Sequence, residues 1–189
     1  MEAQRIDGRR YWELLQGGAQ MLHRHASEVN DLNVFPIPDG DTGDNMYLTI
    51  AGGVNRMPAA GEPIGAAARS IADGMLLSAR GNSGVILSQF FDGVAEGLCG
   101  ADSADASLWG DAFRAGVQHA YAAVSEPTEG TILTVARRAS EQASAAQPSD
   151  MVCALPISTG KARGPHGEIT WAPRGNHVGK LLMLMVLME

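Results

Sequence analysis

The densest group of side chains able to do chemistry lies at residues 33–46, NVFPIPDGDTGDNM. Two carboxylates, Asp39 and Asp41, flank one glycine just after a stretch whose prolines restrict the backbone. Two like charges about 4 Å apart repel by about 4 kcal/mol at an effective dielectric of about 20, so a rigid turn presenting both needs a cation. Mg²⁺ commonly takes one or two carboxylates while phosphates complete its shell. The segment therefore predicts a magnesium site at Asp39 and Asp41.

A helix start follows these acids directly, and its free N–H groups and dipole favour a phosphate oxygen beside the metal. The candidate nucleotide ligands in its first turn are Thr42, Gly43 and Asn45. An EF-hand calcium loop does not fit, because counting Asp39 as its first position places Asp44 where glycine belongs and Ile50 where glutamate belongs. The alternative is a solvated acidic turn in which Asp41 or Asp44 only caps the helix.

A second segment, SARGNSG at residues 78–84, is a glycine-rich entrance to an apolar helix. Backbone amides at such an entrance can cradle phosphate oxygens, and hydroxyl or amide side chains add donors. The candidate phosphate ligands here are Gly81, Asn82, Ser83 and Gly84. Thr131 begins another helix and is a candidate for the same pocket. An ordinary helix cap is the alternative in both places.

Helical periodicity dominates the part of the chain that would position these residues. Apolar side chains recur at three- and four-residue spacing, and the predicted helices span residues 7–29, 45–54, 64–78, 83–98, 106–124 and 131–145. Small residues at helical spacing, such as Gly93 and Gly97, permit neighbouring helices to approach closely. The prediction is an all-α, compact antiparallel helical assembly. Strand-based nucleotide folds are not supported, since the chain has neither a Walker A nor a GxGxxG sequence.

The pattern changes beyond about residue 147, where frequent glycines and prolines interrupt any regular element. We therefore predict a helical domain at residues 1–146 and an atypical tail at 147–189. A frameshift is one origin for such a tail, and a functional extension is the other. No internal repeat is found.

Charge and composition exclude several classes of function. The net charge of −7 argues against a nucleic-acid partner, because phosphate backbones are bound by clustered Lys and Arg. Cys99 and Cys153 lack CxxC spacing, which indicates reduced thiols rather than a zinc site or a disulfide framework. The first ten residues lack the apolar core of a signal peptide. The apolar run 181–188 is shorter than the roughly 20 residues of a membrane span. A cytoplasmic location is expected.

Together these segments resemble the DhaL-like domain of the dihydroxyacetone kinase superfamily, and most closely the N-terminal domain of bacterial fatty acid kinases. The resemblance covers about residues 7–145 and is carried by 33–46, by SARGNSGVILSQ at 78–89 and by EGTILTV at 129–135. It implies a barrel of up to eight antiparallel helices that holds ATP and Mg²⁺ at one end. Asp39 and Asp41 would be catalytic metal ligands, and Asn33 a weaker third one. The last two helices have no counterpart after Ala145, so an incomplete barrel is expected.

The resemblance also implies γ-phosphoryl transfer from ATP to a fatty acid that a separate fatty-acid-binding partner protein presents. An acyl carboxylate is already anionic and needs no general base, which agrees with the lack of histidine in both segments. Two alternatives are the nucleotide-binding subunit of a dihydroxyacetone (glycerone) kinase and an inactive, truncated nucleotide-binding module. Because the barrel is expected to be incomplete, weak or absent turnover is predicted for this chain alone.

Overall fold

The computed structural model describes residues 5–32, 39–128, 131–145, 161–163 and 169–171. Within these ranges the chain forms six helices, which are α1 (Gly8–Leu32), α2 (Thr42–Val54), α3 (Ile64–Ser78), α4 (Gly81–Gly97), α5 (Ala106–Ala122) and α6 (Ile132–Ala145). The predicted all-α class of the domain is confirmed. In these helices, no stretch combines the length and the apolarity needed to cross a membrane.

Among its described residues, the tail contains a pair of strands that the sequence did not predict. Strands β1 (Lys161–Arg163) and β2 (Ile169–Trp171) pair antiparallel, with Lys161 opposite Trp171. The expectation that glycine and proline would interrupt every regular element after residue 147 is therefore wrong here. Ile, Thr and Trp favour strands, and the intervening sequence contains Gly and Pro, which are typical of strand connections.

The predicted helix boundaries agree with the structure to within three residues, and those of α3 coincide with it. The largest difference at a helix start is in α2, where the range predicted from periodicity begins at Asn45 but the helix begins at Thr42, directly after the acids as that segment indicated. The extra turn is held by a residue distant in sequence, because the side-chain carbonyl of Asn30 accepts the Gly43 N–H at 2.7 Å. A cap supplied by another helix leaves no local signal in the sequence.

Helices that follow one another along the chain pack antiparallel. On α4 and α5, Gly93 lies against Ala115 and Gly97 lies against Ala112, so residue numbers rise along one helix as they fall along the other. A Cβ at Gly93 would lie 2.5 Å from the Ala115 carbonyl oxygen, and only glycine permits this approach. Helix α1 runs antiparallel to α2 in the same way, because the Trp12 indole N–H near its start donates to the Val54 carbonyl at 2.7 Å, while Asn30 near its end contacts Gly43 at the start of α2.

The core extends through all six helices. Four aromatic rings form its centre, with Tyr11 and Trp109 edge to face, and Phe90 and Phe113 in a second edge contact. Each such buried side chain contributes about 1.5–3 kcal/mol through removal of apolar surface from water. Burial also raises the pKa of the Tyr11 phenol above its usual value. This packing fixes the helix ends on which the site residues lie.

Asp92 of α4 joins three helices through its carboxylate. Arg69 of α3 donates to one oxygen at 2.5 Å, and the Nδ1 atom of His119 on α5 lies 3.1 Å from the other. Burial by itself would raise the pKa of Asp92, but the Arg69 hydrogen bond and charge, with a further contribution from His119, lower it below its usual value. Because the carboxylate has a lower pKa in the folded chain than in the unfolded chain, it stabilises the fold at pH values above the unfolded-state pKa. That stabilisation is lost as pH falls through the folded-state pKa.

Replacing Asp92 with Asn is expected to lower the free energy of unfolding by about 1 kcal/mol at neutral pH, since the Arg69 pair is only partly shielded from water. The difference from the parent should shrink as pH falls from about 4, the usual pKa of an aspartate in an unfolded chain, through the lower pKa of Asp92 in the folded chain, because the parent loses its stabilising charge over that interval. Urea unfolding at neutral and acidic pH measures both values. Asp111→Asn is the control, because its pair with Arg114 is exposed. An equal loss of unfolding free energy at both pH values would contradict the conclusion that the charge of Asp92 stabilises the fold.

Candidate functional site

Three helix starts meet at one pocket of about 480 Å³. The loop before α2 and the first turns of α2, α4 and α6 line it, together with the connection from α5. The polar residues of its lining, called the polar wall, are Asp39, Asp41, Thr42, Asn45, Asn82, Ser83, Ser125, Glu126, Thr128 and Thr131. Its apolar wall is formed by Val85, Ile86, Ala123, Val124, Ile132 and Leu133. Helices α2 and α4 begin at the same end because Asn45 adjoins Gly81 and Thr49 adjoins Gly84, so residue numbers rise together.

Most of the residues singled out in the sequence lie in this lining. They are Asp39, Asp41, Thr42, Asn45, Gly81, Asn82, Ser83 and Thr131. Gly43 and Gly84 are not part of the lining and contact neighbouring helices instead: a Cβ at Gly43 would overlap the Ala26 carbonyl oxygen, and one at Gly84 would overlap the Thr49 hydroxyl. These two glycines therefore serve the packing of α2 against α1 and of α4 against α2. Asn33 lies outside the described residues.

The start of α2 is capped from α1 rather than by its own acids. The side-chain oxygen of Asn30 accepts the N–H of Gly43 at 2.7 Å and that of Asp44 at 3.4 Å, while its NH₂ group donates to the Asp44 carboxylate at 2.9 Å. Asp41 occupies the N-cap position, yet its side chain makes no capping hydrogen bond. The alternative in which Asp41 caps the helix is therefore not observed, and Asp41 is part of the pocket lining.

The start of α4 differs from the other two in its capping. Its N-cap residue, Arg80, makes no capping hydrogen bond through its side chain, and the first turn of the helix, from Gly81 to Ser83, lies at the pocket. On α6, by contrast, the Thr131 hydroxyl accepts the Leu133 N–H at 3.3 Å and donates to the Thr128 carbonyl at 2.8 Å. Since α2 and α6 have side-chain caps, α4 is the helix start best able to offer backbone N–H groups to an anion.

The acidic side of the pocket has the ligand chemistry of a hard cation. Within the described ranges, no three His, Cys, Asp or Glu side chains come together as a metal-binding group. The acids that line the pocket are Asp39, Asp41 and Glu126, and Thr42 and Asn45 add side-chain oxygens to the same lining. A pair of carboxylates with other oxygen ligands suits Mg²⁺, which keeps several waters and takes its remaining ligands from phosphates. It does not suit zinc, which prefers histidine and cysteine.

Sequence reasoning missed three parts of the site. The apolar wall was not predicted, although Val85 and Ile86 follow the glycine-rich entrance directly. The loop from Ala123 to Thr128 carries no motif and reaches the pocket only because α5 ends there. Asn30 was missed as well, because its partners lie 13 and 14 residues away along the chain. Helix packing, rather than spacing in the sequence, brings these residues to the site.

Replacing Asn30 with Ala is expected to lower the free energy of unfolding by about 1 kcal/mol, because the Gly43 N–H at the start of α2 loses its cap. Thermal unfolding followed by circular dichroism measures the change. Asn55→Ala is the matched control, because it removes the same side chain from an exposed position at the other end of α2. Equal effects of the two substitutions would contradict the capping role of Asn30.

Comparison with known proteins gives one family and a set of related chains. A family model described as the DAK2 domain matches residues 36–159. An uncharacterized protein of Staphylococcus saprophyticus is 46% identical over 140 residues, covering 74% of this chain and 25% of the relative. Protein YloV of Bacillus subtilis is 44% identical over 144 residues, covering 76% and 26%. The chain thus spans about a quarter of the length of these curated relatives.

Proposed function

Because this chain belongs to the DAK2 domain family, the DhaL-type domain of dihydroxyacetone kinases, we propose that it binds ATP with Mg²⁺ as the nucleotide-binding part of a kinase. The observation that carries the proposal is the meeting of two carboxylates, Asp39 and Asp41, with the start of α4 in one pocket. The pocket volume of about 480 Å³ lies in the range of roughly 300–1,000 Å³ that is usual for small-molecule sites.

The two walls of the pocket suit the two ends of a nucleotide. The apolar wall, which includes Val85, Ile86 and Val124, offers a surface on which a base can be buried. The N–H groups at the start of α4 would bind the polyphosphate, aided by the side chains of Asn82 and Ser83. Gly43 is a weaker candidate than the sequence indicated, since its N–H is already bonded to Asn30.

Asp39 and Asp41 would hold Mg²⁺, with Thr42 and Asn45 as neighbouring oxygen ligands. When bound, the ion supplies positive charge that neutralises the phosphate oxygens. Asn33, the weaker third ligand suggested by the resemblance, precedes this pair in the sequence.

In the proposed reaction, a carboxylate oxygen of a fatty acid attacks the γ-phosphorus of ATP, and the bond between that phosphorus and the β,γ-bridging oxygen breaks. The products are an acyl phosphate and ADP, and no proton has to be removed from the acceptor. The backbone N–H groups of Gly81, Asn82 and Ser83 would stabilise the negative charge on the equatorial oxygens of the transferred group. The acceptor would arrive on a separate fatty-acid-binding partner protein, as the resemblance to fatty acid kinases implies.

Acceptor assays distinguish this proposal from its rivals. With ATP, Mg²⁺ and a fatty-acid-loaded partner protein, the expected product is an acyl phosphate, which hydroxylamine traps as a hydroxamate. The family description favours dihydroxyacetone as the second candidate acceptor, and formation of its phosphate would replace the fatty acid in the proposal. Nucleotide binding without turnover in either assay would identify a binding module. Failure to bind ATP in the presence of Mg²⁺ would overturn the proposal as a whole.

A further inference from the structure

Thr49 of α2 is a polar residue with no exposed surface, and it lies where α2 meets the start of α4. Its hydroxyl donates to the Asn45 carbonyl at 2.7 Å and accepts the backbone N–H of Arg80 at 3.2 Å. Arg80 is the N-cap residue of α4. One buried hydroxyl therefore joins a pocket residue of α2 to the residue at which α4 begins.

The glycines of α4 bring the two helices close together at this hydroxyl. A Cβ at Gly84 would overlap the Thr49 hydroxyl, and one at Gly81 would lie 2.5 Å from the side-chain nitrogen of Asn45. The backbone of α4 thus rests directly on Asn45 and Thr49. Because a well-packed contact leaves no room for sliding, the distance between the two helix starts depends on this junction.

We propose that Thr49 is a positioning residue, which holds the N–H groups at the start of α4 in register with the Asp39 and Asp41 pair. The inference rests on the proposed function, in which one Mg·ATP contacts both helix starts. A ligand that spans two groups of donors loses affinity when they shift by about 1 Å, whereas a ligand that contacts only one group does not. Thr49 itself does not line the pocket, so it acts through Asn45 and Arg80.

The competing explanation is that Thr49 only bonds back to its own helix, as buried threonines often do. Two substitutions separate the explanations. Thr49→Val keeps the shape of the side chain but removes the acceptor of the Arg80 N–H, whereas Thr49→Ser keeps the hydroxyl and removes a methyl group. A packing role alone predicts that Ser is the more harmful change, since Ser leaves a cavity.

Calorimetric titration of folded variants, well below their melting temperatures, is the test. Thr49→Val is expected to bind Mg·ATP about tenfold more weakly, while Thr49→Ser stays within about threefold of the parent. Mn²⁺ alone would contact only Asp39 and Asp41, and inorganic phosphate alone would contact only the start of α4. The affinities of both variants for these two ligands should therefore stay close to those of the parent. Unchanged Mg·ATP affinity in Thr49→Val would overturn the proposal, and so would equal losses for all three ligands.

Amide hydrogen exchange on the unsubstituted chain gives a second test that needs neither a variant nor a nucleotide. The Arg80 N–H is expected to exchange at least tenfold more slowly than those of Gly81, Asn82 and Ser83, because the hydroxyl of the buried Thr49 accepts it. Equal exchange at all four positions would refute the Thr49 hydrogen bond. If the parent chain fails to bind Mg·ATP, the proposed function is wrong. The exchange rates then still show whether the Thr49 hydroxyl accepts the Arg80 N–H.

Discussion

Replacing Asp39 with Ala is expected to weaken ATP binding in the presence of Mg²⁺ by about a hundredfold or more. A unit charge pair about 4 Å apart contributes about 4 kcal/mol at an effective dielectric of about 20, and each 1.4 kcal/mol corresponds to a factor of about ten. ATP affinity measured with excess EDTA should change much less, since the lost interaction passes through the metal. Titration calorimetry with and without Mg²⁺ measures both affinities, and circular dichroism should show the helical content unchanged.

Asp44→Ala is the matched control, because it removes a carboxylate from the same acidic segment. The Asp44 side chain accepts a hydrogen bond from Asn30 and is not part of the pocket lining. Its loss is expected to alter Mg·ATP affinity by no more than about threefold, with a small loss of stability at the start of α2. Similar losses of affinity in the two variants would indicate a general effect of negative charge rather than a metal site.

Replacing Gly81 with Ala is expected to damage both the fold and the site. Gly81 has a φ of +56°, a left-handed conformation that costs a residue with a Cβ about 1–2 kcal/mol. The new Cβ would also lie 2.5 Å from the Asn45 side-chain nitrogen, so Asn45 has to move within the pocket. We expect Mg·ATP affinity to fall about tenfold in addition to the loss of stability. Urea unfolding and titration calorimetry measure the two effects separately.

Gly100→Ala isolates the backbone part of this effect. Gly100 has a φ of +75°, but a Cβ there meets nothing within 4 Å, and the residue is not part of the pocket lining. It should therefore cost about the same 1–2 kcal/mol while leaving Mg·ATP affinity unchanged. If Gly81→Ala lost stability without losing affinity, the start of α4 would have no part in binding nucleotide.

The helices were predictable because each carries its own apolar periodicity. Helix α3 shows this most clearly, since Ile64, Ala68, Ile71 and Met75 repeat at helical spacing and are all buried. The cap of α2 was not predictable, because it comes from Asn30 on another helix. The β1–β2 hairpin was missed because glycine and proline argue against helix without specifying what replaces it.

Part of the pocket lining was predictable, because Asp39 to Asn45 and Gly81 to Ser83 fall into two compact segments of the sequence. The roles of the glycines were only partly predictable: Gly81 lines the pocket, whereas Gly43 and Gly84 are placed by packing against neighbouring helices. Nothing in the sequence distinguishes these cases, since the difference depends on which helix lies opposite each glycine. Thr49 illustrates the same limit, because its partner Arg80 lies 31 residues further along the chain.

The proposed function depends on one metal ion that connects the Asp39 and Asp41 pair to a polyphosphate at the start of α4. Paramagnetic broadening tests this connection most directly, with Mn²⁺ in place of Mg²⁺ and a non-hydrolysable ATP analogue bound to the isotope-labelled chain. The amide signals of residues 39–45 and 81–84 are expected to broaden together, and excess Mg²⁺ should restore them. Broadening of only one of these segments, or of neither, would contradict the proposed metal bridge.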